Sequence, residues 1–256
     1  MNTSKESKLN RLVTSVASGT CNATAYFAEQ GYSYRLLHNY EESGWLEFLE
    51  RGAFIRKGDQ VDWFGGLYAI QKQLKKKIHV GGKTALLLQG YGQSVPLGKE
   101  QVHLFGPSNE TLPKWFTVHK WGADIHSHFS KLFNDVAEMG LTEKDHLRFS
   151  IKISAPERAM MELLSLVPEK QTFEEARFIM EGLRTLRPTV VLELLKNCNS
   201  IKVKRLFMAL AEESELPWVK SLITADVDFG SGKRMLVEGG YLHPKYLITL
   251  PKRNEQ

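Results

Sequence analysis

The stretch TAYFAEQGYSYRLLHNYEESGWLEFLERGAFIRK, Thr24 to Lys57, divides into two short helices and a two-stranded hairpin. Ala25, Phe27 and Ala28 give the first helix its apolar positions, and Gly31 supplies the turn that lets the next helix cross it. Ser33 has the side chain of an N-cap, and Gly44 stands where a C-cap glycine belongs. Between them Leu36, Leu37 and Tyr40 recur as one buried stripe, which leaves Tyr34, Arg35, His38 and Asn39 on the opposite face. Arg and Asn bond bidentately to guanine and adenine edges, and Arg35 and Asn39 stand four apart near the amino end of the helix. Trp45 to Glu50 then alternates, Arg51-Gly52 turns, and Ala53 to Lys57 returns. Arg51, Arg56 and Lys57 lie along this wing, where cations neutralise phosphates and fix register without reading sequence. The pattern points to a winged helix-turn-helix that grips double-stranded DNA. A plain protein-interaction module built from the same elements remains the competing reading.

Composition sets the outer bounds. The chain has 256 residues, 42% of them hydrophobic and 25% charged, enough for two domains and a sizeable core. A formal charge of +5 and a pI near 9.0 favour a polyanionic partner. Cys21 and Cys198 are the only cysteines, far apart, so neither a disulfide framework nor a cysteine-based zinc site is indicated and a reducing cytoplasm fits. The start MNTSKESKLNRLVTSV has no secretion-signal core, and no apolar run approaches the roughly 20 residues that span a bilayer. A cytoplasmic protein without a membrane role is the expectation.

Outward from the opening stretch, Ser7 to Val16 has Leu9, Leu12, Val13 and Val16 at helical spacing. After the wing, Asp59 is the candidate cap of a helix from Val61 to Leu74, with Trp63, Leu67, Ile70 and Leu74 as its stripe. Lys72, Lys75, Lys76 and Lys77 close that helix as cations in a last turn do, a solvated cluster first and a phosphate contact second. The pattern changes at Lys77, which places a boundary between residues 1–78, the DNA-binding domain, and residues 79–256. In the second part Ile78 to Val80, Gln101 to Phe105, Trp115 to His119 and Arg148 to Ser154 read as strands of a mixed sheet, with a helix at Lys83 to Gln89. Four helices follow, Pro156 to Val167 capped by Ser154, Phe173 to Leu186, Pro188 to Lys196 and Ile201 to Ser214, and short connections predict an antiparallel bundle. A hairpin of Arg234 to Val237 with Tyr246 to Leu250 closes the chain. The fold class is therefore α+β, a winged helix-turn-helix followed by a mixed α/β domain with a small sheet and a carboxy-terminal helical bundle.

Two local patterns invite chemistry. Gly82-Lys83-Thr84 has the end of a phosphate-binding loop, but the glycine required five residues before the Gly-Lys is Lys77 here, so the motif fails. Asp124, His126 and His128 alternate in DIHSH and share one face of a strand, as metal ligands must, yet no further distant ligand pair is identifiable and ordinary polar surface is the stronger reading. No nucleophile with a base, paired carboxylate or nucleotide loop stands out elsewhere, so no catalytic residue, metal or cofactor is assigned.

The blocks GYSYRLLHNYEESGWLEFLERGAFIRKGDQVDWFGGLYAIQ, GGKTALLLQGY, SAPERAMMELL, VKRLFMALAEE and DFGSGKRMLVEGGYLHPKYLIT together resemble the AbiEi family, antitoxins of type IV toxin-antitoxin systems. The resemblance covers nearly the whole chain and keeps the order of the blocks. It implies an amino-terminal winged helix-turn-helix that represses its own operon and a carboxy-terminal domain that counters a nucleotidyltransferase-type toxin, with no enzymatic activity of its own. The implied DNA contacts fall on Tyr34, Arg35, His38, Asn39, Arg51, Arg56 and Lys57, and the partners are the protein's own promoter and the toxin. For neutralisation, Lys202, Lys204, Arg205, Lys233 and Arg234 are nominated from their charge alone. A nucleic-acid-processing enzyme, nuclease or phosphotransferase, targeted by the winged helix, is the alternative.

Overall fold

A computed structural model describes residues 8–92, 98–134 and 138–252. The chain opens with α1 (Lys8–Ser15), β1 (Asn22–Ala23), α2 (Thr24–Glu29), α3 (Tyr34–Glu42), β2 (Leu46–Glu50) and β3 (Ala53–Arg56); Ser7, the expected first residue of α1, lies outside the described residues. Leu12, Val16, Phe27, Tyr32, Leu37, Leu46 and Phe54 pack as one buried cluster, to which α1, α2, α3, β2 and β3 each contribute a side chain. Burial of such residues contributes about 1.5–3 kcal/mol apiece, which outweighs the modest propensity of helices this short. Gly31 takes a φ of 81° between α2 and α3, as the turn requires. The three strands run in the order β1-β3-β2 and are antiparallel, Phe48 facing Phe54 across the hairpin. A bulge at Leu49 shifts the register, so that Glu50 opposes Ala53.

α4 (Trp63–Tyr68) is capped by Asp62, whose Oδ1 accepts from the Gly65 amide at 3.2 Å. Asp59, the expected cap, instead accepts from the Gly19 amide at 3.0 Å and pairs with Arg56. The helix widens into a π turn over Ala69–Gln73, where the Leu74 amide reaches the Ala69 carbonyl at 3.0 Å. Buried Gln73 donates to the Cys21 carbonyl and Asn22 Oδ1 and accepts from the Ala23 amide, so one side chain satisfies the edge of β1.

Next come β4 (His79–Val80), α5 (Gly82–Leu88), β5 (Gln101–Gly106), α6 (Lys114–Val118), β6 (Asp124–Phe129), β7 (Leu141–His146) and β8 (Phe149–Ser154). The five strands have the order β6-β5-β4-β8-β7, with Val80 of β4 and Ile153 of β8 in parallel register. Trp115 to His119, expected as a strand, is the helix α6: adjacent Trp115 and Phe116 are both buried, which alternation in a one-sided strand forbids.

Two compact units result, one of Met1–His79, Glu110–Asp124 and Glu143–Lys152, the other of Val80–Asn109, Ile125–Thr142 and Ile153–Gln256. The first is thus discontinuous, drawing in two later segments expected in the second domain. In the first of these, Glu110 accepts from Lys76 Nζ at 3.1 Å and from the Lys77 amide at 2.8 Å, and the Phe116 and Trp121 rings lie over Gly66, where a Cβ would sit 2.6 Å from Trp121. From the second, His146 bonds Asp62 at 2.8 Å and its ring stacks on Phe64, while Gln71 bonds both the amide and the carbonyl of Lys152. The rings of Phe64 and Tyr68 are covered this way, by His146 and Phe149.

The second unit adds α7 (Pro156–Ser165), α8 (Phe173–Gly182), α9 (Pro188–Asn197), α10 (Ile201–Glu213), β9 (Tyr241–Leu242) and β10 (Thr249–Leu250). Helix α7 touches α5, α8, α9 and α10, and every residue from Glu157 to Leu164 is buried. Its two carboxylates are accordingly paired, Glu157 with Arg187 and Glu162 with Arg158 and Ser154, which is why Ser154 is not the cap of α7 and Ala155 takes that position. The closing hairpin differs from expectation. β9 pairs with β10 through Leu242 and Thr249, whereas the expected segment meets the last strand in a single parallel bridge, Arg234 with Ile248, after which the Leu236 and Val237 amides bond the Thr249 hydroxyl.

Candidate nucleic-acid interface

Helix α3 is fixed from both ends and from beneath. The Ser33 hydroxyl accepts from the Leu36 amide at 3.2 Å, Gly44 follows the last turn with a φ of 75°, and Leu37 is fully buried, with Leu36 and Tyr40 packed beside it. Tyr34, Arg35, His38 and Asn39 are exposed, as the stripe requires. Among the described residues, the Arg35 and Asn39 side chains have no partner, so five guanidinium donors and a carboxamide stand open four residues apart. His38 Nδ1 lies 3.3 Å from Glu41, and the Tyr34 ring meets the His38 ring edge-on at 5.3 Å.

The hairpin cations divide. Arg51 is exposed at the β2–β3 turn and unpartnered among the described residues. Lys57 lies 3.4 Å from Glu47 with both side chains exposed, a pair that exchanges its carboxylate for another anion at little cost. Arg56 is committed inward: its Nη2 donates to Asp59 at 3.2 Å and to the Ser18 hydroxyl at 3.4 Å, so it braces the end of β3.

The five cations nominated for neutralisation do not form a basic surface. Lys204 and Arg205 are buried, and Arg205 donates through Nε to the Phe229 carbonyl at 2.6 Å and through Nη1 to those of Gly232 and Leu247 at 2.7 and 3.3 Å. The Leu247 carbonyl also accepts from the Arg234 amide at 2.8 Å, so the planar guanidinium gathers Phe229 and Gly232 of the irregular segment after α10 onto a carbonyl already held by the backbone. Lys202 donates to the carbonyls of Ser165 and Val167, and burial lowers its pKa. Lys233 and Arg234 alone are exposed. Apolar spacing along α10 was legible in the sequence; that its charged residues lie inside was not.

A histidine not singled out by the sequence completes another cluster. His103 on β5 stands beside His126 and His128 on β6, with ring centroids 5.1 and 5.2 Å away. His103 Nδ1 meets His128 Nε2 at 3.0 Å, and His126 Nε2 meets Gln101 Oε1 at 2.6 Å. These rings, with Lys83, Lys170 and Glu175, line a cavity of about 1170 Å³. Burial, together with the positive field of neighbouring groups, lowers the pKa of His103 and of His128 to about 4. Among the described residues no three metal-binding groups converge, and Asp124 falls in the first unit. Within Gly82-Lys83-Thr84 the Gly82 amide donates to Glu162 and the Lys83 ammonium pairs with Glu175, while the preceding Gly81 amide donates to the His103 carbonyl.

Comparison with known proteins accounts for both halves of the chain. Residues 5–97 match the model described as "Transcriptional regulator, AbiEi antitoxin N-terminal domain", and residues 99–251 match "Transcriptional regulator, AbiEi antitoxin, Type IV TA system". The chain belongs to the AbiEi family. AbiEi proteins are antitoxins and transcriptional regulators of type IV toxin-antitoxin systems, and the mixed α+β architecture described above is one this AbiEi chain shares with a solved structure. That structure is the crystal structure of the RV2827C protein from Mycobacterium tuberculosis, 12% identical, with a TM-score of 0.58 over 94% of this chain and 88% of the other. No curated protein matches. Among the described residues of this AbiEi chain, no helix is long and apolar enough to cross a membrane.

Proposed function

We propose that the first unit is a winged helix-turn-helix that binds the DNA upstream of its own gene and represses it, α3 entering the major groove and the β2–β3 hairpin serving as the wing. One observation carries this reading: Arg35 and Asn39 are exposed and unpartnered on a helix whose other face is anchored by buried Leu37. Side chains that read bases must be free of internal partners and held on a rigid element, and both conditions are met. Tyr34, His38, Arg51 and Lys57 flank them as backbone contacts, and Arg56 acts on the wing from within. The second unit, without enzymatic chemistry, counters a nucleotidyltransferase-type toxin, Lys233 and Arg234 being the cations of the five still available to an anionic partner. Titration of the protein with a duplex spanning its upstream region, against a scrambled duplex at the same salt, tests the reading. Preference for the upstream duplex by at least about a thousandfold, the ratio typical of specific regulators, is expected, and equal affinity for the two would end the repressor assignment.

The hydrogen-bonded pair His103 and His128 on a cavity wall favours a second reading, processing of a nucleic acid in the second unit. Turnover of labelled RNA or DNA that disappears in the variant His103→Gln supports it; absence of turnover with the parent protein removes it.

A further inference from the structure

The segment Glu110–Asp124 returns to the first unit beside the wing, and it brings cations with it. Helix α6 packs against β2, the Trp115 ring lies 3.4 Å from where a Cβ on Gly52 would be, and His119 Nδ1 lies 3.4 Å from Glu50 Oε1. Glu50, Arg51, Lys114, Trp115 and Val118 together line a cleft of about 370 Å³ at the wing turn. Arg51 and Lys114 are both exposed, and among the described residues neither side chain has a hydrogen-bond or ion-pair partner. Lys120, one residue beyond His119, is also exposed and unpartnered by the same measure. Glu50, the one carboxylate in the cleft, is the group that faces His119.

We propose that this cleft is a second DNA-backbone site, in which Arg51 from the wing turn and Lys114 from α6 flank a phosphate of the bound duplex. The proposal rests on the DNA-binding reading and extends it: the interface is assembled from two parts of the chain, and residues beyond position 97 contribute to it. A wing held only by its own strands places Arg51 on a turn free to move. Here Trp115 packs against the turn at Gly52 and His119 meets Glu50, so Arg51 and Lys114 share a fixed wall. Contacts of this kind position a protein on DNA and carry no sequence information. Loss of Lys114 therefore weakens all DNA alike, in contrast with loss of Arg35.

The test uses the whole chain. Affinities of the parent, Lys114→Gln, Lys114→Glu and, as a surface control from the second unit, Lys220→Gln are measured for the upstream duplex and a scrambled duplex between 50 and 200 mM salt. Release of one phosphate contact lowers the slope of log affinity against log salt by about 0.9 and, by the same relation, reduces affinity about eightfold at 0.1 M salt. Lys114→Gln is expected to show both changes on both duplexes, Lys114→Glu a larger loss, and Lys220→Gln neither. Both Lys114 variants have an exposed, unpartnered side chain replaced, and an unchanged melting temperature excludes misfolding as the cause. Unaltered affinity and slope in both Lys114 variants, with Arg35→Ala still impaired, would overturn the second backbone site and leave the DNA reading intact. Failure of the parent to bind either duplex would overturn the DNA reading and this site with it.

Discussion

Replacing Arg205 with Met removes the donors from the centre of the second unit while keeping a flexible side chain of similar reach. The Phe229, Gly232 and Leu247 carbonyls then lose bonds of 2.6, 2.7 and 3.3 Å to a guanidinium that is 2% exposed. Charge-assisted bonds contribute about 1.5–3 kcal/mol each, and counting the two short ones while discounting for the desolvation of Arg205 leaves a net loss of about 3 kcal/mol. A loss of that size moves the melting temperature of a domain this large by about 6–12 °C. Urea unfolding measures the total, and amide hydrogen exchange locates it: protection is expected to fall first between residues 228 and 249, whose backbone Arg205 gathers. Arg205→Lys retains charge but not the fork, and is expected to fall between Met and the parent. Stability of Arg205→Met within about 0.5 kcal/mol of the parent, the range of ordinary surface substitutions, would refute the structural role. The same result would restore Arg205 as a candidate surface charge. A loss of toxin protection in Arg205 variants is thus read as unfolding unless stability is retained.

Two further outcomes follow from the first unit and from the histidines. Residues 1–78 expressed alone lack Trp121, Phe116 and His146, which cover Gly66 and Phe64, so the fragment is expected to unfold broadly and bind DNA weakly; a sharp unfolding transition with parental DNA affinity would contradict the discontinuous unit. His103 and His128 have folded pKa values of about 4, below the ordinary 6.5, so the unfolded chain binds more protons between those values. Their contribution to stability is complete above pH 6.5 and is lost as the pH falls toward 4, and His103→Gln is expected to flatten that slope in urea unfolding series; an unchanged slope would show that the His103 imidazole is not held neutral by the fold.

The sequence was most legible where local signals agreed. Ser33, Gly31, Gly44 and the spacing of Leu36, Leu37 and Tyr40 all specify the same helix, and the structure places each as read. It was least legible where tertiary contacts override local pattern. Trp115 and Phe116 look like strand residues until both must be buried at once, and charged Lys204 and Arg205 look like surface although both are buried, Arg205 as the donor to the carbonyls after α10. His103 is not marked out beside DIHSH because it and His128, on strands adjacent in the sheet, are 25 residues apart in the chain, and no spacing rule links them. Discontinuity of the first unit was hidden for the same reason: Gly66 reads as a weak helix position, and only the rings of Phe116 and Trp121 show why a side chain there has no room.

Base reading by α3 is the claim on which the rest depends, and a matrix of protein and duplex variants tests it most directly. Affinities of the parent, Arg35→Ala and Asn39→Ala are measured on the upstream duplex and on a set with each base pair of the protected region changed in turn. For each variant, one or two positions are expected to lose discrimination by about 1–3 kcal/mol, with the remaining positions unaffected. Identical discrimination profiles for the parent and both variants would show that α3 does not read the bases.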